Sequence, residues 1–265
     1  MTNTKTDRQT CRAGNIPEES RRTPDFSRFN INDSYQIPVT DTGKGSKGAE
    51  AENCRRLSKN QLLSLDAGLG SRDREILLSI RNCRYLMSAQ VARLIFTEAV
   101  SPAAALRAAN RSLKKLREMG LIDSLSRRIG GVRAGSGSLV WRLTHAGERL
   151  LRLHGETKSS STARFEPSPY FLAHTLAVAE TAVRLTEISR AGRLEITSLQ
   201  HEPDCWREYN EYGSLVSLKP DLYAAAICGE YEDRYFLEID LATESPNKIM
   251  EKCGRYHKYY LNGAE

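Results

Sequence analysis

Apolar residues spaced three and four apart begin to share a face after residue 71, and they predict helices there. Ile76, Leu77 and Ile80 form one face of a first helix that Ser71 or Asp73 can cap. A second helix starts at Ser88 and carries Val91, Leu94, Ile95 and Phe96. Ser101-Pro102 opens a third, with proline at the first helical position, and Gly120 closes it after Met119. Leu106, Leu113 and Leu116 mark its buried side. The pattern then changes to strands: residues 122–128, the glycine-rich loop IGGVRAGSG, and a returning strand over 138–143. Thr144-His145-Ala146-Gly147 leads into a short basic helix over 148–154, with Trp141 and His145 read as packing and capping residues.

Residues 155–169 (GETKSSSTARFEPSP) have the composition of a linker. Residues 170–190 predict a long helix with Leu172, Leu176, Val183 and Leu185 among its apolar positions. His174 and Glu180 on that helix lie roughly 120° apart, so both cannot address one atom. A strand follows over 194–199, then an irregular polar insert around Trp206 over 201–212. Two further strands, 222–228 and 234–241, enclose the polar turn Gly229-Glu230-Tyr231-Glu232-Asp233. A fold near Glu230 and Tyr231 sets Asp221 about opposite Asp240, with Glu238 one diagonal away. Strand parity puts Glu238 and Asp240 on one face. Three carboxylates at one hairpin end repel one another unless a cation, a proton or basic groups neutralise them.

Residues 1–65 lack hydrophobic periodicity and read as a disordered arm, with order expected from about Ser71. The GKGSKG stretch at 43–48 follows no strand and lacks a phosphate-loop ending, so it reads as flexible linker. No apolar run approaches a membrane span and the N-terminus has no secretory core, which leaves a cytoplasmic setting and no membrane partner. Six scattered cysteines without a CxxC pair argue against a zinc site or a disulfide framework.

The net charge of +6 conceals a division. Residues 71–154 hold 16 Lys/Arg against 6 Asp/Glu, whereas 155–265 hold 12 against 18. Such a split suits a polyanion-binding module beside a cation-binding one. Three helices, a strand, a Gly/Arg loop and a second strand over 70–154 make the pattern of a winged helix-turn-helix. Arg107, Arg111 and Lys114 share a face of its third helix, with Lys115 nearby, and Arg127, Arg128 and Arg133 lie in the wing. That arrangement suits double-stranded DNA. A solvated basic helix in a protein-interaction module is the competing reading.

Helix, strand, hairpin and helix over 170–265, with Pro220-Asp221 and Glu238-Ile239-Asp240, resemble the core of PD-(D/E)xK nucleases. WRLTHAGERL, HTLAVAE, KPD, FLEIDLATES and KCGRYHKYY together resemble the replication-relaxation family of plasmid and mobile-element proteins. The resemblance implies an α+β chain: a winged helix-turn-helix, then an α/β restriction-endonuclease-like domain whose sheet expects a further strand beyond Glu265. It also implies Mg²⁺ or Mn²⁺ held by Asp221 and Glu238, with Asp240 alongside and the Ile239 carbonyl as a further ligand. The nuclease lysine is replaced by Asp240, so Lys248 or Lys252 on the next helix would supply the cation, with Tyr256 on the same face. His174 would act as an acid/base group or orient a carboxylate, and Glu180 would be the acid of the first helix.

Two classes of function remain open on the sequence. One is metal-dependent nicking of DNA by a replication-relaxation protein. The other is a non-enzymatic DNA-binding regulator or mobilisation accessory protein on an inactive nuclease scaffold, with Glu238, Asp240, Lys248 and Lys252 as surface charges. Plasmid replication or mobilisation proteins are the expected partners, and a homodimer is among the states this arrangement allows.

Overall fold

The computed structural model describes residues 57–125, 139–155 and 166–263. Order begins earlier than the sequence pattern indicates. Helix α1 (Lys59–Ala67) occupies the end of the expected arm, and residues 1–56 lie outside the described residues. Ser58 and Gln61 form a reciprocal capping box at its start, and Leu62, only 1% exposed, anchors it to the core. One buried leucine in nine residues leaves no periodic signature, so the helix depends on its tertiary contacts.

The following elements are α2 (Ser71–Cys83), β1 (Leu86–Met87), α3 (Ser88–Ile95), α4 (Pro102–Glu118), β2 (Ile122–Ser124), β3 (Val140–Leu143) and α5 (His145–Leu153). The three strands form an antiparallel sheet in the order β1-β3-β2. The two-residue β1 gave no sequence signal. Residues 126–138, which include Arg127, Arg128 and Arg133, lie outside the described residues. Ile76, Leu77, Ile80, Val91, Leu113, Leu116 and Trp141 share one core, and Trp141 donates its indole N–H to Ser88 Oγ at 2.9 Å. Leu106 was expected in that core but is 37% exposed; Ala105 and Ala109 take the buried positions beside Leu113 and Leu116. Small side chains there let α4 lie close to its neighbours.

The remaining elements are α6 (Pro169–Arg190), β4 (Glu195–His201), β5 (Arg207–Glu211), β6 (Ser214–Leu218), β7 (Leu222–Cys228), β8 (Tyr231–Leu237) and α7 (Pro246–Asn262). The described chain is therefore mixed α+β, with three small antiparallel sheets: β1-β3-β2, β4-β7-β8 and β5-β6. Residues 201–212, expected to be irregular, instead complete β4 and form β5, which pairs with β6 from Arg207↔Leu218 to Glu211↔Ser214. Polar side chains at 207, 208, 210 and 211 hid this strand, of which only Tyr209 is buried. No described helix is long and apolar enough to cross a membrane.

Helix α6 is bound to the first half of the chain. Its Leu172 and Leu176 are buried with Tyr85, Met87, Leu125 and Val140, and its Ala179 joins the helical core. Arg93 of α3 donates to both Glu187 oxygens at 2.8 and 2.5 Å and to Glu180 at 2.8 Å. Gln90 adds bonds to Glu180 Oε2 at 3.2 Å and to the Leu176 carbonyl at 3.3 Å. Arg190 reaches back to the carbonyls of Arg93 and Leu94 at 3.1 and 2.6 Å. A two-ended guanidinium between two carboxylates fixes distance and angle together. Glu180 is thus a packing acid paired with Arg93 and Arg184, not the nuclease-type acid of the first helix.

Gly147 shows how closely the pieces fit. A Cβ at this position would collide with the backbone carbonyl oxygen of Leu121. Glycine-to-alanine changes inside helices normally stabilise by about 1 kcal/mol. Here we expect Gly147→Ala to destabilise by about 1–3 kcal/mol in urea unfolding, because a backbone atom cannot yield as a side chain can. A stabilised variant would contradict this packing.

Candidate functional site

Two places collect the residues singled out by sequence. The first is the outer face of α4. Arg107, Arg111, Lys114 and Arg117 are exposed there, with Lys114 only loosely paired to Glu118 at 3.8 Å. Arg107, Arg111 and Arg117 have no ion pair among the described residues. Lys115, expected beside them, is committed elsewhere. It donates to the buried Asp73 at 2.6 Å and to the Gly68 carbonyl at 3.2 Å, which supplies the counter-charge of a buried acid that also accepts the Gly70 amide.

The second place is a cavity of about 310 Å³ lined from α6, β6, α7 and the residues that flank β7 and β8. Its position follows from the hairpin. Gly229, at φ 67°, and Glu230 make a two-residue turn, because Cys228 pairs with Tyr231. The turn is tighter than expected, so Leu222 pairs with Leu237 and Asp221 comes level with Glu238, not Asp240. Strand β8 starts earlier and ends earlier than the sequence suggested. Glu238 and Asp240 both lie past its end, where strand parity no longer applies.

Asp221 Oδ2 accepts the Ile239 N–H at 2.7 Å and faces His174 Nε2 at 3.5 Å. Glu238 accepts from Lys252 at 2.8 Å and from the Tyr256 hydroxyl at 2.6 Å. Lys252 also reaches Glu244 at 2.9 Å, and Lys248 holds the other oxygen of Glu244 at 3.2 Å. Asp240 does not join the group. Its Oδ1 accepts the amides of Thr243 and Glu244 at 3.1 and 3.4 Å and so shapes the turn into α7, where Ala242 takes φ 60°. Lys248 is outside the cavity lining, whereas His174, Asp221, Glu238 and Lys252 are in it.

The titrating groups follow from these contacts. The Asp221 carboxylate raises the pKa of His174 despite partial burial, helped by a bond to the Ile239 backbone. Burial, then the bond to Glu238, keeps the Tyr256 phenol protonated far above the usual tyrosine range. Partial burial lowers the pKa of Lys252, but the bonds to Glu238 and Glu244 outweigh it and raise it well above the usual lysine value. The hydrogen bond from Lys252 leads the lowering of Glu244. Close by, burial pushes His201 down to about 4 and raises Glu202, against the pull of Arg84 at 3.0 Å.

The expected metal set of Asp221, Glu238 and Asp240 is therefore not assembled, and the Ile239 backbone serves the imidazole. Among the described residues no three His, Cys, Asp or Glu side chains converge as a metal-binding group. A Mg²⁺ ion, which takes one or two carboxylates and keeps several waters, would have to displace the donors that now hold Asp221 and Glu238. Glu244 is the residue that sequence reasoning missed; its spacing of four before Lys248 and eight before Lys252 was the available signal.

The sequence pattern of replication-relaxation proteins matches residues 77–265, most of the chain. The chain belongs to the replication-relaxation family. The matched segment takes in α3 and α4, the clamp onto α6 and every residue of the acidic cavity. No curated protein and no solved structure matches the chain. Membership connects this replication-relaxation protein to replication.

The two histidines should titrate in opposite directions. His174, with a raised pKa, contributes stability that is fully present below the ordinary value of 6.5 and is lost as pH rises through its folded value. His201, at about 4, is half-buried and neutral, so its contribution is present above 6.5 and is lost as pH falls toward 4, at most about 3 kcal/mol. NMR titration of the ring protons should place His174 above 6.5 and His201 far below it. Coincident midpoints would contradict the described contacts.

Proposed function

We propose that this chain is a DNA-binding protein of plasmid or mobile-element replication that engages double-stranded DNA through α4. The observation that carries the reading is the division of that helix. Ala105, Ala109, Leu113 and Leu116 face the core while Arg107, Arg111, Lys114 and Arg117 face solvent. Ion pairing does not consume the three arginines, so their charge is available to phosphates. The order helix, short strand, helix, helix, strand and returning strand supports a winged helix-turn-helix, with α4 as the helix laid in the groove. Arg127, Arg128 and Arg133, which lie outside the described residues, are the further phosphate contacts that the sequence offers. Cytoplasmic replication or mobilisation proteins are the expected partners, and a homodimer would place two such helices on a symmetric site.

The described cavity favours a non-enzymatic role for the second half, a nuclease-like scaffold whose carboxylates are spent on Lys252, Tyr256 and His174. A specific observation supports the enzymatic alternative as a second reading. Asp221, Glu238 and Lys252 line one cavity, as the first acid, second acid and relocated lysine of a PD-(D/E)xK nuclease would. Metal-dependent nicking would require Glu238 to be freed from its two donors.

Replacing Arg111 and Lys114 by alanine should weaken duplex binding about equally across DNA sequences. It should also flatten the dependence of log K on log salt by roughly one for each phosphate no longer neutralised. Unchanged affinity would reject α4 as the DNA-facing helix. With Mg²⁺ or Mn²⁺ present, the non-enzymatic reading expects supercoiled plasmid to remain intact. Nicking that disappears in Asp221→Ala and Glu238→Ala would establish the second reading instead.

A further inference from the structure

We infer that the cavity between α6 and α7 receives an unpaired nucleotide of single-stranded DNA. The inference rests on the reading that this protein works on DNA and names what its second half takes hold of.

Three observations meet at the cavity. The first is a pair of exposed aromatic rings on its rim. Tyr170 and Phe171, at the start of α6, are 55% and 41% exposed, and both line the cavity. Tyr170 is held by a hydrogen bond between its hydroxyl and Thr243 Oγ1 at 2.8 Å, which orients the ring without covering it. Flat, solvent-facing rings at a cavity mouth offer stacking surfaces to unstacked bases of any sequence.

The second observation is the internal charge balance. Asp221 faces His174, Glu238 holds Lys252 and Tyr256, and Glu244 holds Lys252 and Lys248. With its carboxylates compensated, the wall presents hydrogen-bonding dipoles more than a bare negative field. Such a wall suits an uncharged planar group rich in donors and acceptors better than it suits a metal ion. A volume near 310 Å³ matches the lower end of small-ligand sites, the scale of one nucleotide.

The third observation is cationic. Lys219 and Arg255 also line the cavity. Lys219 rests on the Trp206 ring at 4.6 Å, and Arg255 holds Glu251 at 2.5 Å. Lys219 has no carboxylate partner among the described residues, which leaves its charge for the phosphate that accompanies a base.

The test uses the full chain and two labelled probes, an oligothymidylate of about 15 nucleotides and a blunt duplex, read by fluorescence anisotropy. Wild type should bind both. Tyr170→Ala/Phe171→Ala should weaken oligothymidylate binding about 10-fold or more, since each stacked base contributes a factor of that order, while duplex binding stays within about twofold. Tyr170→Leu/Phe171→Leu, which keeps apolar bulk on the helix, should lose the single strand as well; retained duplex binding shows that either variant is folded. Equal oligothymidylate affinity in wild type and the leucine variant would overturn the inference. Duplex binding without any single-strand binding would overturn it while leaving the duplex reading intact. Loss of both in wild type would remove the two together.

Discussion

The grip of Arg93 on α6 is the contact on which the rest of the molecule depends. It joins α3, which packs directly against the basic helix α4, to the helix that carries His174, Tyr170 and Phe171 at its other end. A guanidinium between Glu180 and Glu187, with Gln90 and Arg190 filling the remaining polar positions, leaves α6 little freedom to rotate or slide. Phe171 lies nine residues before Glu180, about 14 Å along the helix axis. The cavity rim is therefore a rigid extension of the N-terminal fold. Arg84, at φ 63°, strengthens this by pairing with Glu202 beside β4.

Within the acidic cavity, competition decides the chemistry. A nuclease-like acid pair binds metal when its oxygens are free. Here Lys252 and Tyr256 reach Glu238 first, and the Ile239 amide and His174 take Asp221. The lysine that would assist catalysis in a nuclease is the residue that neutralises the ligand. The same side chains can support a metal-free binding site, and the hydrogen bonds that compensate the carboxylates also make the wall acceptable to a base.

Much of the architecture is legible in the sequence, for identifiable reasons. Long helices with repeated apolar faces, such as α2, α4 and α6, declare themselves. So do Ser101-Pro102 and Gly120, whose cap and turn chemistry is local. Short elements that depend on partners do not. Strand β1 has two residues, α1 has a single buried anchor, and β5 is polar on nearly every position. The site was half legible. His174, Asp221, Glu238 and Lys252 line one cavity: the hairpin sets the two carboxylates level, and the packing of α6 and α7 brings the other two beside them. Asp240 does not line it, because moving the centre of the turn by one residue shifts cross-strand register by two, and Lys248 does not, because Glu244 one turn before it on the chain claims its charge. Lys115 could not be distinguished from its neighbours by pattern, since the groups that claim it, the buried Asp73 and the Gly68 carbonyl, are distant in sequence.

The central claim is that one rigid body presents a duplex-binding helix and a single-strand site to the same DNA. The most direct measurement compares a duplex carrying a single-stranded arm with the blunt duplex and with the free single strand, at one salt concentration. Two sites held at fixed separation predict that the branched substrate binds about 10-fold or more tightly than either part, through the effective concentration of the second site. Affinity no greater than that of the blunt duplex, for arms of every length and either polarity, would contradict the account.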